Sequence, residues 1–274
     1  VSVQAIERAL ELNGMGVEPN KAAFLWGRYA AVEPTLVVQH AGLNNRSEPL
    51  ATSLADIVLF RERFLVEYQN SKYSARYKAG VERVRQAEQR VQPGSNMLAS
   101  AVAKNYFKLL AYKDEYEVAR LHAQTPFLKD ISEDFLGKAR LKFYLSPPIF
   151  SRLDPVTGRP RKYEFGGWVL PVFRVLARLK FLRGTSFNPF GYTVEHRSAQ
   201  RLIYEYENLM DCFVNELDSK RMNLAIELAQ LPQKIRGYGP VKNASIHSVD
   251  MIKKELIGFW NTPEKFNSSK SKAA

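Results

Sequence analysis

The chain has 274 residues, of which 45% are hydrophobic, and this is enough apolar material for one large domain or two small ones. Its single cysteine, Cys212, excludes an intramolecular disulfide framework and a multi-cysteine zinc or iron-sulfur site within these residues. The formal net charge of +12 at pH 7 favours an anionic partner such as nucleic acid, a phosphorylated cofactor, an acidic protein or an acidic membrane surface.

Apolar spacing predicts a mainly helical chain. Asn13-Gly14 is expected to stop the first helix and Pro34 to end the second, while Ser95 and Ser219 are expected to act as N-caps. The predicted helices, in chain order, cover 5–12, 19–31, 54–68, 73–91, 98–110, 113–122, 126–135, 168–182, 194–217 and 222–231, with a last helix ending at Trp260.

In the middle of the chain the spacing of apolar residues changes from the helical period to every second residue, which is typical of a β-strand. Leu141, Phe143 and Leu145 alternate with basic or polar residues, and the stretch 161–165 alternates again after a turn signal at 154–158. The predicted fold is therefore a mainly α, multi-helix domain with a small antiparallel β-ribbon around residues 139–166. An irregular aromatic loop is expected over 187–192.

Few residues have the character of catalytic groups. The histidines lack metal-ligand spacing, Cys212 resembles a small core residue, and no glycine-rich phosphate loop occurs. We nominate no catalytic residue and no metal ligand. The four histidines are His40, His122, His196 and His247.

Positive charge is concentrated between Lys138 and Arg183, where eleven basic residues and two acidic ones give a net charge of +9. Such a segment attracts an anionic partner. The alternative is a solvated surface balanced by acidic residues from other parts of the fold.

Two sets of residues are candidates for contacting an anion. Arg174 and Arg178 lie one helical turn apart, with Arg183 just beyond the helix end. Arg236 and Lys242 flank the predicted start of the last helix. The alternatives are salt bridges for the first set and a simple turn between helices for the second.

Several phrases of the sequence, in their order and spacing, resemble the C-terminal part of the single-chain indolepyruvate ferredoxin oxidoreductases. The resemblance covers residue 3 to about residue 260. The phrases that carry it are Ala5-Ile6-Glu7-Arg8-Ala9, Leu12-Asn13-Gly14, 20–28, 110–121, 188–192 and 231–242.

The resemblance implies a parent enzyme that oxidises aryl 2-oxoacids with thiamine diphosphate, iron-sulfur clusters and commonly CoA, and passes electrons to ferredoxin. It divides the chain into the closing helices of a gamma-type 2-oxoacid oxidoreductase domain (1–32), a helical C-terminal domain (33–262) and a tail (263–274) whose polar composition predicts disorder. The sequence has no Gly-Asp-Gly thiamine segment and one cysteine, so we expect no cofactor and no catalysis in this fragment alone.

The expected role is assembly or docking of an anionic partner, with the remainder of the parent polypeptide and ferredoxin as partners and a homo-oligomer as the assembly. Cytoplasm is the expected compartment, without a membrane partner, because thiols are scarce and no apolar run reaches about 20 residues. The alternatives are a basic helical nucleic-acid-binding module, favoured by Lys142-Phe143-Tyr144 and Arg161-Lys162-Tyr163, and a structural dimerisation domain.

Overall fold

The computed structural model describes residues 2–14, 16–41, 53–123, 141–145, 161, 163–237 and 239–271. The mainly α prediction is confirmed. The chain divides into two compact units, Val1–Ala51 and Thr52–Ala274. The domain division implied by the resemblance, after residue 32, stays a prediction. The helix expected over 126–135 lies outside the described residues. Among the helices that the structure describes, none combines the length and apolarity needed to cross a bilayer.

The first unit contains α1 (Val3–Asn13), α2 (Val17–Val32) and α3 (Pro34–His40). Gly14 ends α1 with a φ of 67°, which a residue with a side chain rarely adopts. Pro34 ends α2 as expected but also begins α3, since proline is tolerated in a first helical turn. None of the three helices contains a buried residue.

The second unit contains nine α-helices, two 3-10 turns and two strands within its described residues. The helices are α4 (Leu54–Tyr68), α5 (Ser71–Val91), α6 (Met97–Leu110), α7 (Glu115–Ala123), α8 (Val169–Arg178), α9 (Val194–Glu216), α10 (Met222–Gln230), α11 (Pro240–Gly258) and α12 (Pro263–Ser271). The 3-10 turns are Leu179–Leu182 and Leu231–Lys234, and the strands are β1 (Lys142–Leu145) and β2 (Tyr163–Gly166).

The main core of this unit lies among α4, α5, α6, α9, α10, α11 and α12. Buried tyrosines contribute apolar rings, and the hydroxyls of Tyr68, Tyr77 and Tyr206 donate to backbone carbonyls, as Tyr77 does to Ala103 at 3.1 Å. Gly80 of α5 lies against Tyr106 and Met210, and a Cβ there would approach the Met210 side chain to 2.8 Å. The absence of a side chain at Gly80 therefore permits close packing of α5 against α6 and α9.

The caps predicted for α6 and α10 are wrong. Glu88, fully buried in α5, accepts hydrogen bonds from the amides of Leu98 and Ala99 at 3.1 and 2.8 Å, and Ser95 donates to the same carboxylate. This carboxylate satisfies amides that would otherwise be unpaired at the start of a buried helix. Asp218, and not Ser219, accepts from the backbone just before α10.

A second, smaller core joins α7, the ribbon and α8. The two strands are antiparallel, with Phe143 opposite Phe165 and Leu145 opposite Tyr163, which confirms the ribbon within its described residues. Phe143 packs edge-on against Phe173 of α8, with ring centroids 5.4 Å apart. The ribbon therefore supports one face of α8.

The tail prediction is wrong over residues 263–271, which form α12. Phe266 is 4% exposed and belongs to the main core, and its ring centroid lies 6.1 Å from that of Phe259. Lys220 forms an ion pair with Glu264 at 2.7 Å. One buried aromatic residue anchors a segment whose average composition is polar.

Candidate functional site

Helix α8 presents two contrasting faces. Its inward face consists of Val169, Phe173 and Ala177, which are buried in the smaller core and separated by one helical turn each. Leu170 and Leu176 pack partly against the same core, whereas residues 171, 172, 174 and 175 are exposed. The arrangement gives α8 a fixed outward face.

The outward face combines arginine with large apolar side chains. Arg174 and Arg178 are exposed, and within the described residues neither forms an ion pair. Exposed apolar side chains on or next to the same helix surround them. We define the α8 surface as these two arginines together with Trp168, Val172, Val175 and Phe181, which are 51–66% exposed.

Arg183 does not belong to this surface. Its guanidinium donates to both oxygens of Asp114, at 2.6 and 2.8 Å, and to the Tyr68 carbonyl at 2.6 Å. Burial by itself lowers the pKa of Arg183, but the hydrogen bonds to Asp114 and the electrostatic interactions with Tyr68, Asp114 and Tyr112 together outweigh that effect and raise it. The structure therefore assigns Arg183 to a buried ion pair, which was the alternative interpretation for this residue, and it is not available to an external anion.

Two further basic residues near α8, Arg120 and Lys180, form hydrogen bonds to Glu67 of α4. Arg120 of α7 is buried and makes two hydrogen bonds to Glu117, at 2.9 and 2.8 Å, and one to Glu67 of α4 at 3.1 Å. Lys180 donates to the Glu67 carbonyl, and its pKa is lowered by burial and by the positive charges of Arg120 and Arg183. The two basic residues that follow Arg178 in the basic segment, Lys180 and Arg183, thus form hydrogen bonds within the protein. The basic residues at 138, 140, 152, 159 and 162 lie outside the described residues.

The second candidate set gains a lysine that sequence reasoning missed. Lys108 of α6 donates to the carbonyls of Pro232, at 2.8 Å, and Ile235, at 3.0 Å, among others. Burial lowers the pKa of Lys108, and the charges of Arg236 and Lys242 lower it further. The structure thus brings three cations near one another at the start of α11.

Within this set the side chains differ in exposure. Arg236 is exposed, and its backbone amide donates to the Ser245 hydroxyl at 3.0 Å. Lys242 is half-buried, which lowers its pKa, although the charge of Glu195 acts in the opposite direction. Because Lys108 is held by backbone carbonyls, only Arg236 offers a fully exposed cation here.

Around Arg183 the structure assembles polar groups that no motif indicated. The Tyr112 hydroxyl accepts from Gln200 at 3.3 Å and forms a hydrogen bond with Nδ1 of His196 at 3.1 Å. Burial lowers the pKa of His196, although the charge of Asp114 acts in the opposite direction. These partners lie 84 and 88 residues from Tyr112 in the chain, and sequence spacing cannot reveal them.

The predicted loop over 187–192 is irregular, as expected, and its Asn188 is buried. Oδ1 of Asn188 accepts from the Tyr116 hydroxyl at 2.9 Å and from the Phe190 amide at 3.1 Å. The loop is therefore tied to α7 by a buried side chain.

Cys212 and the metal-ligating residue types form no site in the described part of the chain. Cys212 packs against the main core, and burial and the charge of Glu216 raise the pKa of its thiol, which disfavours the reactive thiolate. Among the described residues no group of three or more His, Cys, Asp or Glu side chains is placed to hold a metal ion.

In the described part of the ribbon, the triplet Lys142-Phe143-Tyr144 is largely engaged in contacts within the protein. Phe143 is buried, and Lys142 forms an ion pair with Glu164 at 2.9 Å. The Tyr144 hydroxyl donates to the same carboxylate at 2.8 Å. A stacking platform needs exposed aromatic rings beside free cations, and in this triplet only the Tyr144 ring is exposed.

Comparisons with known proteins identify one similarity. Residues 54–255 match the model of a family of unknown function, DUF6537, and this stretch is about three quarters of the chain. No curated protein and no solved structure matches the chain.

Proposed function

We propose that this chain, which belongs to DUF6537, a family of unknown function, is the C-terminal part of a cytoplasmic 2-oxoacid:ferredoxin oxidoreductase. In this proposal the chain docks an acidic protein, ferredoxin, on the α8 surface. The sequence phrases that resemble the indolepyruvate ferredoxin oxidoreductases support the parent enzyme. The observation that carries the docking role is the exposed arginine pair Arg174 and Arg178.

The α8 surface has the composition of a protein-binding site. Arginine and aromatic residues are enriched among the side chains that dominate binding energy at interfaces, and charged residues around an apolar centre steer the partner. Arg174 and Arg178 have no carboxylate partner within the described residues, whereas many of the chain's other arginines do. An acidic partner would supply the missing countercharge.

The first unit supports a multidomain parent. Its three helices expose Leu25, Trp26, Tyr29 and Leu36 and bury no residue. Apolar stripes of amphipathic helices are ordinarily covered by another element. Helices that complete a larger domain in the rest of the parent polypeptide would have this property.

The residues of this chain do not fit the parent's cofactors. An iron-sulfur cluster takes four cysteine thiolates, and this sequence contains one cysteine. The sequence also has no Gly-Asp-Gly thiamine segment. The proposal therefore assigns thiamine diphosphate and the clusters to other parts of the parent, and this chain contributes docking.

The test uses the full-length protein that contains this chain, assayed for arylpyruvate-dependent reduction of ferredoxin. We expect the double variant Arg174→Glu/Arg178→Glu to raise the KM for ferredoxin about 10-fold at low ionic strength, with kcat unchanged. The difference should shrink as salt rises, because the Debye length falls to about 8 Å at physiological ionic strength.

The matched control is Arg63→Glu/Lys104→Glu, two exposed cations elsewhere in the second unit. It makes the same change in net charge and should leave the KM for ferredoxin unchanged. Absence of any ferredoxin reduction would refute the parent enzyme, and equal effects of both double variants would refute docking at α8. A change in the KM for CoA alone would replace ferredoxin with CoA as the docked anion.

A further inference from the structure

The second unit contains a groove between α5 and α9. Its lining shares no residue with the α8 surface or with the cations at the start of α11. It is an open surface groove with a volume of about 470 Å³. We call it the α5/α9 groove. It is lined by Arg83, Arg85, Gln86, Gln89, Arg90 and Val214.

The lining follows from helical spacing. Arg83, Gln86 and Arg90 lie three and four residues apart, so their side chains share one face of α5. Val214 contributes from the neighbouring helix α9. The groove therefore combines three guanidinium groups and two amides with an apolar contact. The carboxylates of Asp211 and Glu82 lie next to this lining, and the Gln86 amide donates to Glu82 at 2.9 Å, which leaves its second N–H for a ligand.

The three arginines of the groove differ in their ion pairs with carboxylates. Arg83 forms an ion pair with Asp211 at 2.6 Å, and Arg85 makes two hydrogen bonds of 2.8 Å to Glu82. All four of these side chains are about half exposed, so the pairs are weak and open at low cost.

Arg90 is the arginine without a carboxylate. Its Nη2 donates to the Val214 carbonyl at 3.1 Å, and it forms no ion pair with any residue that the structure describes. This hydrogen bond holds the guanidinium at the α9 side of the groove. A positive charge is thus positioned there without a countercharge from the described residues.

Phosphate is the chemical group that best fits this lining. A guanidinium presents parallel N–H donors that match two phosphate oxygens, and a phosphate ester carries a charge of about −1.5 to −2 at neutral pH. We propose that the α5/α9 groove binds a small molecule through a phosphate group held by Arg90 and Arg83, with Gln86 as a neutral donor. The remaining volume accommodates the body of a phosphorylated metabolite beside Val214.

Calorimetric titration of the full chain with inorganic pyrophosphate at low ionic strength tests the proposal. We expect saturable one-site binding, and a loss of affinity of at least about 10-fold in Arg83→Ala/Arg90→Ala, because each charged hydrogen bond to phosphate is lost. Gln86→Glu, which places a carboxylate in the groove at an exposed helical position, should weaken binding as well.

Arg63→Ala on α4 is the matched control, since Arg63 is exposed and lies outside the groove. It should bind pyrophosphate as the unaltered chain does. The proposal is overturned if pyrophosphate does not bind saturably, if Arg63→Ala weakens binding as much as the groove variants do, or if Gln86→Glu binds with unchanged affinity. None of these outcomes depends on ferredoxin, so the result is separate from docking at α8.

Discussion

Arg183 shows how the fate of one residue depends on a distant partner. In the sequence it resembles Arg174 and Arg178, and all three were predicted to contact an anion. In the structure its countercharge is Asp114, 69 residues earlier in the chain, and both groups are buried. Helical spacing predicts which face a side chain occupies but contains no information about a partner on another element.

Removing Asp114 should strongly destabilise the protein. Asp114→Ala would leave the Arg183 guanidinium buried without a countercharge, and we expect the free energy of unfolding to fall by about 3–5 kcal/mol. Urea unfolding monitored by circular dichroism measures this loss.

Asp211→Ala is the matched control for this change, because Asp211 pairs with Arg83 at the surface, where both side chains are about half exposed. We expect it to cost at most about 1 kcal/mol. Similar losses for the two variants would contradict the buried pair between Arg183 and Asp114.

Among the secondary-structure elements, long amphipathic helices were the most predictable. Helix α4 has the predicted bounds, since its apolar residues recur at helical spacing and Ser53 caps its first turn. Helix α12 was missed because its sequence is rich in serine, lysine and asparagine. Its helix depends on Phe266 packing into a core built by other elements.

Phe266→Ala should therefore detach α12. We expect a loss of about 3–5 kcal/mol in the free energy of unfolding, as is usual when a buried phenylalanine is truncated. Thermal and urea unfolding report the stability, and hydrogen exchange of the α12 amides reports the local effect.

Phe187→Ala serves as the comparison, since Phe187 is 84% exposed. It should change stability by no more than about 0.5 kcal/mol. If α12 amides exchanged as fast in the unaltered protein as in Phe266→Ala, the packed helix would be refuted.

At the scale of the complete chain, hydrophobic burial is unevenly divided between the two units. Every buried hydrophobic residue in the described part of the chain lies in Thr52–Ala274. Burial of apolar surface is the dominant favourable contribution to folding. The first unit should therefore contribute little to the stability measured for the chain.

Deletion of residues 1–51 tests this division. We expect the shortened chain to remain helical and to unfold within about 3 °C of the complete one, a shift that corresponds to less than about 1 kcal/mol. Differential scanning calorimetry measures the transition. A loss of cooperative unfolding would show that the first unit is required for the second to fold.

The α8 surface follows from residue spacing on one helix, whereas the α5/α9 groove depends on residues that are far apart in the chain. The outward position of Arg174 and Arg178 follows from the buried positions Val169, Phe173 and Ala177 on the same helix. The α5/α9 groove has no such local signal. Arg90 and Val214 are 124 residues apart in the chain, and their contact exists because α9 packs on α5.

The order of amino acids was sufficient to predict a mainly helical chain, the ribbon and the shared helical face of Arg174 and Arg178, because these depend on local periodicity. The buried pair of Arg183, the Glu88 cap of α6, the anchoring of α12 and the α5/α9 groove required the packed fold. Each depends on groups that are far apart in the chain, and only the burial of a shared core determines which of them meet.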